Sequence, residues 1–135
     1  MRINPYLIFD GQCRSAFRFY EQVLGGKITF SMTYGESPSA ADVPKEHHDR
    51  IIHTTLEIGD QLLQGSDAHG EYDKPQGVHV SLSLKDTGEG KRIFDSLSEK
   101  GTVQMPFEKT FWAAGFGMCV DRFGIPWMVN CEKEE

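Results

Sequence analysis

Histidine side chains are the strongest candidates for metal binding or proton transfer in this chain, which has five of them. His47 and His48 are adjacent in a polar stretch, and His53 follows in an apolar segment typical of a strand. Neighbouring residues of a strand point to opposite faces of a sheet, so His47 and His48 would not bind the same metal ion if they lay on a strand. No cysteine or regular carboxylate spacing supports the three histidines. The pattern favours a solvated loop over a metal cluster.

Two further histidines lie near a serine and an aspartate, the residue types of a hydrolytic triad. Ser66, Asp67, His69 and His79 supply these side chains, but no GxSxG turn surrounds the serine to expose it as a nucleophile. The support for a serine hydrolase is therefore weak. The three cysteines are widely spaced and form no CxxC pair, which is typical of small buried thiols in a reducing compartment.

Composition and charge narrow the classes of partner. A chain of 135 residues is long enough for one domain, or two small fused modules, with a substantial core. Its net charge of −6 opposes nucleic-acid binding, which needs a basic surface, and provides no polybasic patch for a membrane. No apolar run has the length of a signal sequence or a membrane-spanning helix. We expect a cytoplasmic protein that binds neither nucleic acid nor membrane.

The first half of the chain predicts a strand, a helix and three more strands. Apolar residues recur with the spacing of one helix face from Cys13 to Leu24, and Gly25 follows where a helix end favours positive φ. Residues 34–50 predict a long mobile loop without secondary structure of its own, which could serve as a lid or binding loop. The predicted strands cover residues 3–9, 27–33, 51–58 and 61–66.

The second half predicts the same order after a polar linker at residues 67–76. Asp86, with Glu89 three residues on, is typical of a helix start, and we expect a helix near residues 88–100 that Gly101 ends. Strands are predicted at residues 77–84 and 102–107. An apolar hairpin then closes the chain, with arms at residues 117–120 and 127–131 and a type I turn at residues 121–124.

The two halves therefore repeat the order β-α-β-β-β. Gly25 and Gly101 are 76 residues apart, and Phe17 and Phe94, one on each helix face, are 77 apart. A regular internal repeat is typical of duplicated structural units. We predict an α+β fold of two βαβββ modules, at about residues 1–70 and 75–135, whose sheets are mostly antiparallel.

Short motifs along the whole chain carry a family resemblance. They are PYLIF at residues 5–9 with Gly11 and Cys13, FY at 19–20, LGG at 24–26, GSD at 65–67, FWAAGFG at 111–117, Asp121, FG at 123–124 and PWM at 126–128. With the two modules, they resemble the vicinal oxygen chelate superfamily of glyoxalase I, bleomycin-resistance proteins and extradiol dioxygenases, and within it the PhnB-like proteins. The resemblance implies cupped half-barrel sheets that enclose a site, and a homodimer.

The resemblance also allows the metal ligands of catalytic members to be placed on this chain. Those members hold a divalent metal with about four residues, typically His or Glu, on the first and last strands of each module. The corresponding positions here are Pro5, Gln64, His79 and Met128, with Asn130 one step further on the same face. Only the histidine is a strong ligand. We therefore expect a barrel that has lost its metal site and that uses no cofactor.

The same positions predict a pocket for a small molecule. Strand alternation in cupped sheets places Gln64, His79, Met128 and Asn130 on the concave face, and Trp112 could lie at its rim. Apolar walls with a few polar groups are typical of such pockets. Gln64 and His79 are the predicted polar anchors, although each of these residues could instead serve ordinary packing.

Three functional hypotheses follow. The first is metal-free binding of a small apolar or aromatic molecule in the barrel, as in bleomycin-resistance relatives. The second is a lyase, isomerase or dioxygenase that binds metal at a degenerate site. The third is a structural homodimer with a vestigial cavity. PhnB-like proteins are linked by name to phosphonate use and related domains to ubiquinone methylation, but the chain has no glycine-rich motif for S-adenosylmethionine.

Overall fold

A computed structural model of the chain describes residues 1–133. They form two compact units, Met1–Asp73 and Lys74 onward. The first unit contains β1 (Tyr6–Phe9), α1 (Cys13–Leu24), β2 (Lys27–Thr33), β3 (Ile51–Ile58) and β4 (Gln61–Asp67). The second contains β5 (Val80–Leu84), α2 (Thr87–Ser98), β6 (Thr102–Glu108), β7 (Ala113–Val120) and β8 (Pro126–Glu132). The predicted α+β class and the repeated βαβββ order are confirmed.

Each unit has a mixed four-stranded sheet of the same topology. The strand orders are β1-β4-β3-β2 and β5-β8-β7-β6. The first and last strands of each unit are parallel neighbours, whereas the other pairs in each sheet are antiparallel. A crossover through a helix is needed to bring parallel strands together, and α1 and α2 lie within those connections.

Helix α1 packs its apolar face on the first sheet. The predicted bounds of α1 are confirmed, and Gly25 ends it with a left-handed φ of 76°. Phe17 and Tyr20 are fully buried on this face. Phe17 lies over Gly65 of β4, where an added Cβ would come within 2.7 Å of the phenyl ring. The glycine therefore lets the helix approach the sheet closely.

Helix α2 is built in the same way on the second sheet. The Asp86 side chain caps it by accepting from the N–H groups of Gly88 and Glu89, as predicted. Phe94 packs over Gly117 of β7, where an added Cβ would lie 2.6 Å from the ring. The prediction that Gly101 ends this helix is wrong. Lys100 takes the positive φ, of 61°, and Gly101 is needed because a Cβ there would lie 2.3 Å from the Val120 carbonyl oxygen.

A buried aspartate ties the elements of the first unit together. Asp67, at the end of β4, is 1% exposed. Its Oδ1 accepts from the N–H groups of Gly11 and Cys13 at 2.9 and 3.0 Å, and its Oδ2 accepts from that of Ile51 at 2.8 Å. One carboxylate therefore fixes the start of α1 and the start of β3.

The segment at residues 34–50 is more regular than the sequence indicates. It contains two short 3₁₀ helices, Ala40–Asp42 and Lys45–His47, so the prediction of a loop without structure is wrong. The Tyr34 hydroxyl donates to the Asp67 carbonyl oxygen at 2.7 Å. His48 Nε2 lies 2.9 Å from the carbonyl oxygens of Ala40 and Val43. These contacts fold the segment onto its own unit.

The closing hairpin is confirmed, and a second buried aspartate holds its turn. Asp121 is 3% exposed. Its Oδ1 accepts from the N–H groups of Phe123 and Ile125 at 2.8 and 3.0 Å, and its Oδ2 accepts from the Trp127 indole at 2.8 Å. Trp127 is fully buried, so this hydrogen bond satisfies a donor that would otherwise be costly to bury.

Candidate binding site

Side chains alternate along a strand, so the face of each sheet that turns away from its helix can be identified from the strand register. We call it the open face. On the first sheet, Tyr6 pairs with Gln64, which also pairs with Thr55 of β3. On the second sheet, Met128 pairs with Ser81 and Met118, and Asn130 pairs with Ser83 and Phe116. These residues belong to the open faces, whereas Leu63, Trp127 and Val129, on the opposite faces, are buried.

Gln64 is part of a hydrogen-bonded cluster on the open face of the first sheet. Its Nε2 donates to Thr55 Oγ1 at 3.5 Å. Thr55 Oγ1 lies 3.3 Å from His53 Nε2, and His53 Nδ1 lies 3.2 Å from the Tyr6 hydroxyl. All four residues belong to the first unit. The amide, two hydroxyls and imidazole therefore form a continuous polar row across β4, β3 and β1.

Aromatic and aliphatic side chains surround this polar row. The imidazole of His53 lies between two rings, with centroid distances of 5.7 Å to Tyr6 and 5.8 Å to Phe30. Tyr6, Ile8 and Phe30 are 45%, 38% and 44% exposed. The face thus combines exposed apolar surface with a few polar groups, the usual composition of a small-molecule site.

Sequence reasoning missed Tyr6 and His53 as members of this cluster. His53 entered only as a possible metal ligand, and the first-strand position was assigned to Pro5. The register places Tyr6 opposite Gln64, while Pro5 contributes its carbonyl oxygen to the Gln64 N–H at 3.1 Å. The alternation His53-x-Thr55 within a predicted strand was a usable signal, because residues two apart share a face.

On the second sheet, Met128 and Asn130 share the open face as predicted, and Trp112 lies beside it. The Trp112 ring packs edge-on against Phe116, with centroids 5.2 Å apart, and Phe111 packs against Trp112 at 4.8 Å. Trp112 is 46% exposed. The Asn130 Oδ1 is buried, and none of residues 1–133 donates a hydrogen bond to it.

His79 lies just before β5 rather than on it. The strand starts at Val80, so the predicted strand at residues 77–84 begins three residues too early. The His79 Nε2 is 2.8 Å from the Gln104 Oε1 in a half-exposed position. His79 is therefore held by an amide from β6, within its own unit.

Three other sequence candidates, His48, His69 and Asp67, have local partners. His48 is bound to backbone carbonyl oxygens within residues 34–50. His69 packs edge-on against Tyr34 at 5.4 Å. Asp67, the acid of the hypothetical triad, accepts three backbone N–H groups and is occupied structurally. These contacts remove the remaining support for a triad at Ser66.

The cysteines are buried and unreactive in character. Cys13, Cys119 and Cys131 are all free thiols. Burial raises the pKa of each above its ordinary value near 9.0, and the nearby Asp67 carboxylate adds to the effect on the Cys13 pKa. Since the thiolate is the nucleophile, a raised pKa opposes a catalytic role for these residues.

A family model for the Glyoxalase/Bleomycin resistance protein/Dioxygenase superfamily matches residues 2–129. The chain belongs to this superfamily. Protein YjdN from Escherichia coli K12 is 33% identical to it, with all of this chain and 98% of YjdN aligned. The crystal structure of PA1353 from Pseudomonas aeruginosa is 45% identical, with a TM-score of 0.91 and 99% of both chains covered.

A PhnB protein from Bacillus cereus has the same fold. Its structure matches with a TM-score of 0.82 over 97% of this chain and 99% of that one, at 19% identity. An identity this low establishes the fold alone. The glyoxalase-superfamily assignment made from sequence is confirmed by the family model. The likeness to PhnB is a likeness of fold, and the activity has to be argued from the side chains.

The glyoxalase superfamily implies a divalent metal, but the side chains of this member do not fit one. Within residues 1–133 no group of three His, Cys, Asp or Glu residues is placed to hold a metal ion. Of the positions carried over from the superfamily, Gln64 is engaged with Thr55 and His79 with Gln104. Met128 offers a thioether, which suits soft metals rather than the hard divalent ions that carboxylates bind. Tyr6, which the register places opposite Gln64, is engaged with His53.

A cavity of about 830 Å³ lies elsewhere in the second unit, near the start of α2. Three lysines, Lys85, Lys109 and Lys133, line it together with Asp86 and Glu132. Asp86 already accepts from two N–H groups at the helix start. The free donors that make a helix start attractive to anions are thus partly used. In residues 1–133, neither α-helix is long and apolar enough to cross a membrane.

Proposed function

We propose that this protein binds a small apolar or aromatic molecule on the open faces of its sheets, without a metal. The observation that carries the proposal is the exposed apolar surface of the first sheet, where Tyr6, Ile8 and Phe30 surround a polar row ending in Gln64. Burying apolar surface contributes about 25 cal/mol per Å². The polar row supplies the few directional contacts that orient a ligand.

The open face of the second sheet is a second candidate surface in this proposal. Met128 offers an adaptable apolar wall and Trp112 a half-exposed ring, and Asn130 lies on the same face as Met128. His79 offers a second polar anchor through the imidazole that contacts Gln104. None of these side chains is a carboxylate, so the set is better suited to hydrogen bonding and apolar packing than to holding a hard divalent metal.

A thermal-shift screen with small aromatic compounds tests the proposal. A compound that binds the native protein raises its Tm in a concentration-dependent way. The compound is then titrated against wild type and Gln64→Ala, His79→Ala and Trp112→Ala. Loss of one hydrogen bond or of the ring contact is expected to weaken binding about 5- to 150-fold.

The matched control is Gln76→Ala. Gln76 is exposed and lies in the segment that joins β4 to β5, so this variant is expected to bind the compound as tightly as wild type does. The proposal fails if the three site variants fold normally and all bind within twofold of wild type. In that case the polar groups of the open faces serve packing, and the third hypothesis, a structural protein, gains support.

A homodimer forms part of the proposal, because the second unit exposes large apolar side chains. Phe111 is 86% exposed, Val103 47% and Met105 40%. Exposed apolar patches commonly mark protein interfaces. We expect light scattering during gel filtration to give about twice the 15.2 kDa of one chain, and Phe111→Ser to weaken the dimer. A mass near that of one chain at micromolar concentration would contradict this. A cytoplasmic location is also proposed, in keeping with three buried free thiols.

A further inference from the structure

The polar row on the first sheet has a direction that follows from its donors and acceptors. The Gln64 amide nitrogen can only donate, so Thr55 Oγ1 accepts from it at 3.5 Å. Thr55 Oγ1 can accept twice, but its own proton finds an acceptor within the row only if it points at His53 Nε2, 3.3 Å away. A nitrogen that accepts carries no proton, so the neutral imidazole carries its proton on Nδ1.

The polar row ends at the exposed Tyr6 side chain. With the proton on Nδ1, His53 donates to the Tyr6 oxygen at 3.2 Å. The Tyr6 oxygen then accepts from inside the protein, and its own O–H points away from His53. Tyr6 is 45% exposed, so this hydroxyl is accessible from solvent. Chains of hydrogen bonds polarise one another, which strengthens the donor at the end.

We propose that Tyr6 is a specificity-determining residue that selects ligands with an acceptor oxygen, such as an aromatic carbonyl, with His53 and Thr55 as positioning residues. This rests on the proposed function. The apolar side chains near Tyr6 favour ligands that also carry an aromatic ring. Phe30 and Ile8 provide an apolar surface beside the row, on which the aromatic ring of a ligand can pack. The Tyr6 hydroxyl can then donate to the acceptor oxygen of that ligand. The inferred ligand class is therefore a small aromatic compound carrying a carbonyl or carboxylate oxygen.

The row can be tested in the free protein, without any ligand. Nitrogen-15 NMR of the histidine rings distinguishes a protonated from an unprotonated ring nitrogen. At neutral or mildly alkaline pH, the neutral form of His53 is expected to show the unprotonated resonance at Nε2. Thr55→Val keeps the β-branched shape but removes the hydroxyl, and is expected to reduce this preference. Thr29→Val, an exposed position on β2, is the matched control and should leave it unchanged. A neutral His53 protonated on Nε2 in wild type would overturn the inferred direction.

Ligand selectivity is measured with two probes that differ in one oxygen, acetophenone and ethylbenzene. Binding to the first sheet is followed by amide chemical shifts. Wild type is expected to bind acetophenone about fivefold or more tightly than ethylbenzene, the effect of one hydrogen bond near 1 kcal/mol. Tyr6→Phe, which removes only the hydroxyl, should abolish the preference, and Thr55→Val should reduce it. Tyr72→Phe, outside the sheet, should retain it.

The outcomes separate this inference from the proposed function. If both probes bind the first sheet with equal affinity, or if Tyr6→Phe keeps the preference, the selective role of Tyr6 is refuted while aromatic binding stands. If neither probe shifts any residue of the open faces up to its solubility, both the inference and the aromatic-binding proposal fail. Loss of the preference in Tyr6→Phe, with ethylbenzene affinity within twofold of wild type, supports both.

Discussion

Replacement of Asp121 by asparagine should destabilise the protein because an amide cannot accept from both sides. The carboxylate accepts from the N–H groups of Phe123 and Ile125 on Oδ1 and from the Trp127 indole on Oδ2. In Asp121→Asn, the amide oxygen can keep the turn N–H groups, and the NH₂ group then faces the indole donor. One charge-assisted bond is lost and one buried donor is left without an acceptor.

Each of these two effects is worth about 1–3 kcal/mol. They concern the same contact, so we expect the free energy of unfolding to fall by about 3 kcal/mol in total. For a chain of 135 residues, this corresponds to a fall in Tm of roughly 10 °C. The assay is urea unfolding followed by far-ultraviolet circular dichroism, which does not depend on tryptophan fluorescence. Asp60→Asn, at an exposed turn between β3 and β4, is the control and should change the stability by less than about 0.5 kcal/mol.

A double-mutant cycle with Trp127→Phe isolates the indole contact. In that background the indole donor is gone, so Asp121→Asn should cost only about 1 kcal/mol and give a coupling energy near 2 kcal/mol. If Asp121→Asn lowered the free energy of unfolding equally in wild type and in Trp127→Phe, the role of Asp121 as acceptor for the indole N–H would be refuted. A cost below about 0.5 kcal/mol for Asp121→Asn in wild type would refute the role of the carboxylate altogether.

Three further predictions concern packing, thiols and metal. Gly117→Ala should cost about 1–3 kcal/mol, because its Cβ would lie 2.6 Å from the Phe94 ring, whereas Gly70→Ala, with no atom within 4 Å, should be nearly neutral in urea unfolding. The thiols should resist iodoacetamide in the native state and react after unfolding. Because their pKa values are raised in the folded state, their contribution to the free energy of unfolding is fully present below about pH 9. Above that pH it falls, since the thiols of the unfolded chain ionise first. Rapid native labelling of Cys13 would contradict this. Elemental analysis of protein purified without added metal should show no stoichiometric zinc, nickel, manganese or iron, and about one metal per chain, lost in His79→Ala, would favour the enzyme hypothesis.

Local sequence signals were sufficient for most of the fold. The bounds of α1 and β3 follow from apolar periodicity and from glycines that end each element. The cap at Asp86 and the turn at Asp121 follow from side chains that bond their own neighbours. Each of these features depends on residues within one turn of chain, which a sequence pattern can reveal.

Features that depend on distant contacts were not predictable in the same way. Lys100 takes a left-handed conformation, and Gly101 is required beside the Val120 carbonyl, which belongs to another strand. The pairing of Tyr6 with Gln64 joins residues 58 positions apart in a parallel register, and a shift of one residue changes the face of every side chain. The residue opposite Gln64 is therefore Tyr6 rather than Pro5, to which the first-strand position was assigned from sequence.

The distribution of acidic groups links the fold to the proposed function. The two carboxylates buried within residues 1–133, Asp67 and Asp121, each accept three N–H groups and hold strand ends in place. Of the four positions carried over from metal-binding relatives, one is a histidine, His79, and the other three are Pro5, Gln64 and Met128. Amides and hydroxyls orient a ligand through hydrogen bonds but do not concentrate negative charge for a divalent ion. Under the proposed function, these sheets recognise a ligand through hydrogen bonds and apolar contacts rather than through a metal, and the Tyr6 hydroxyl is where that recognition can be made selective.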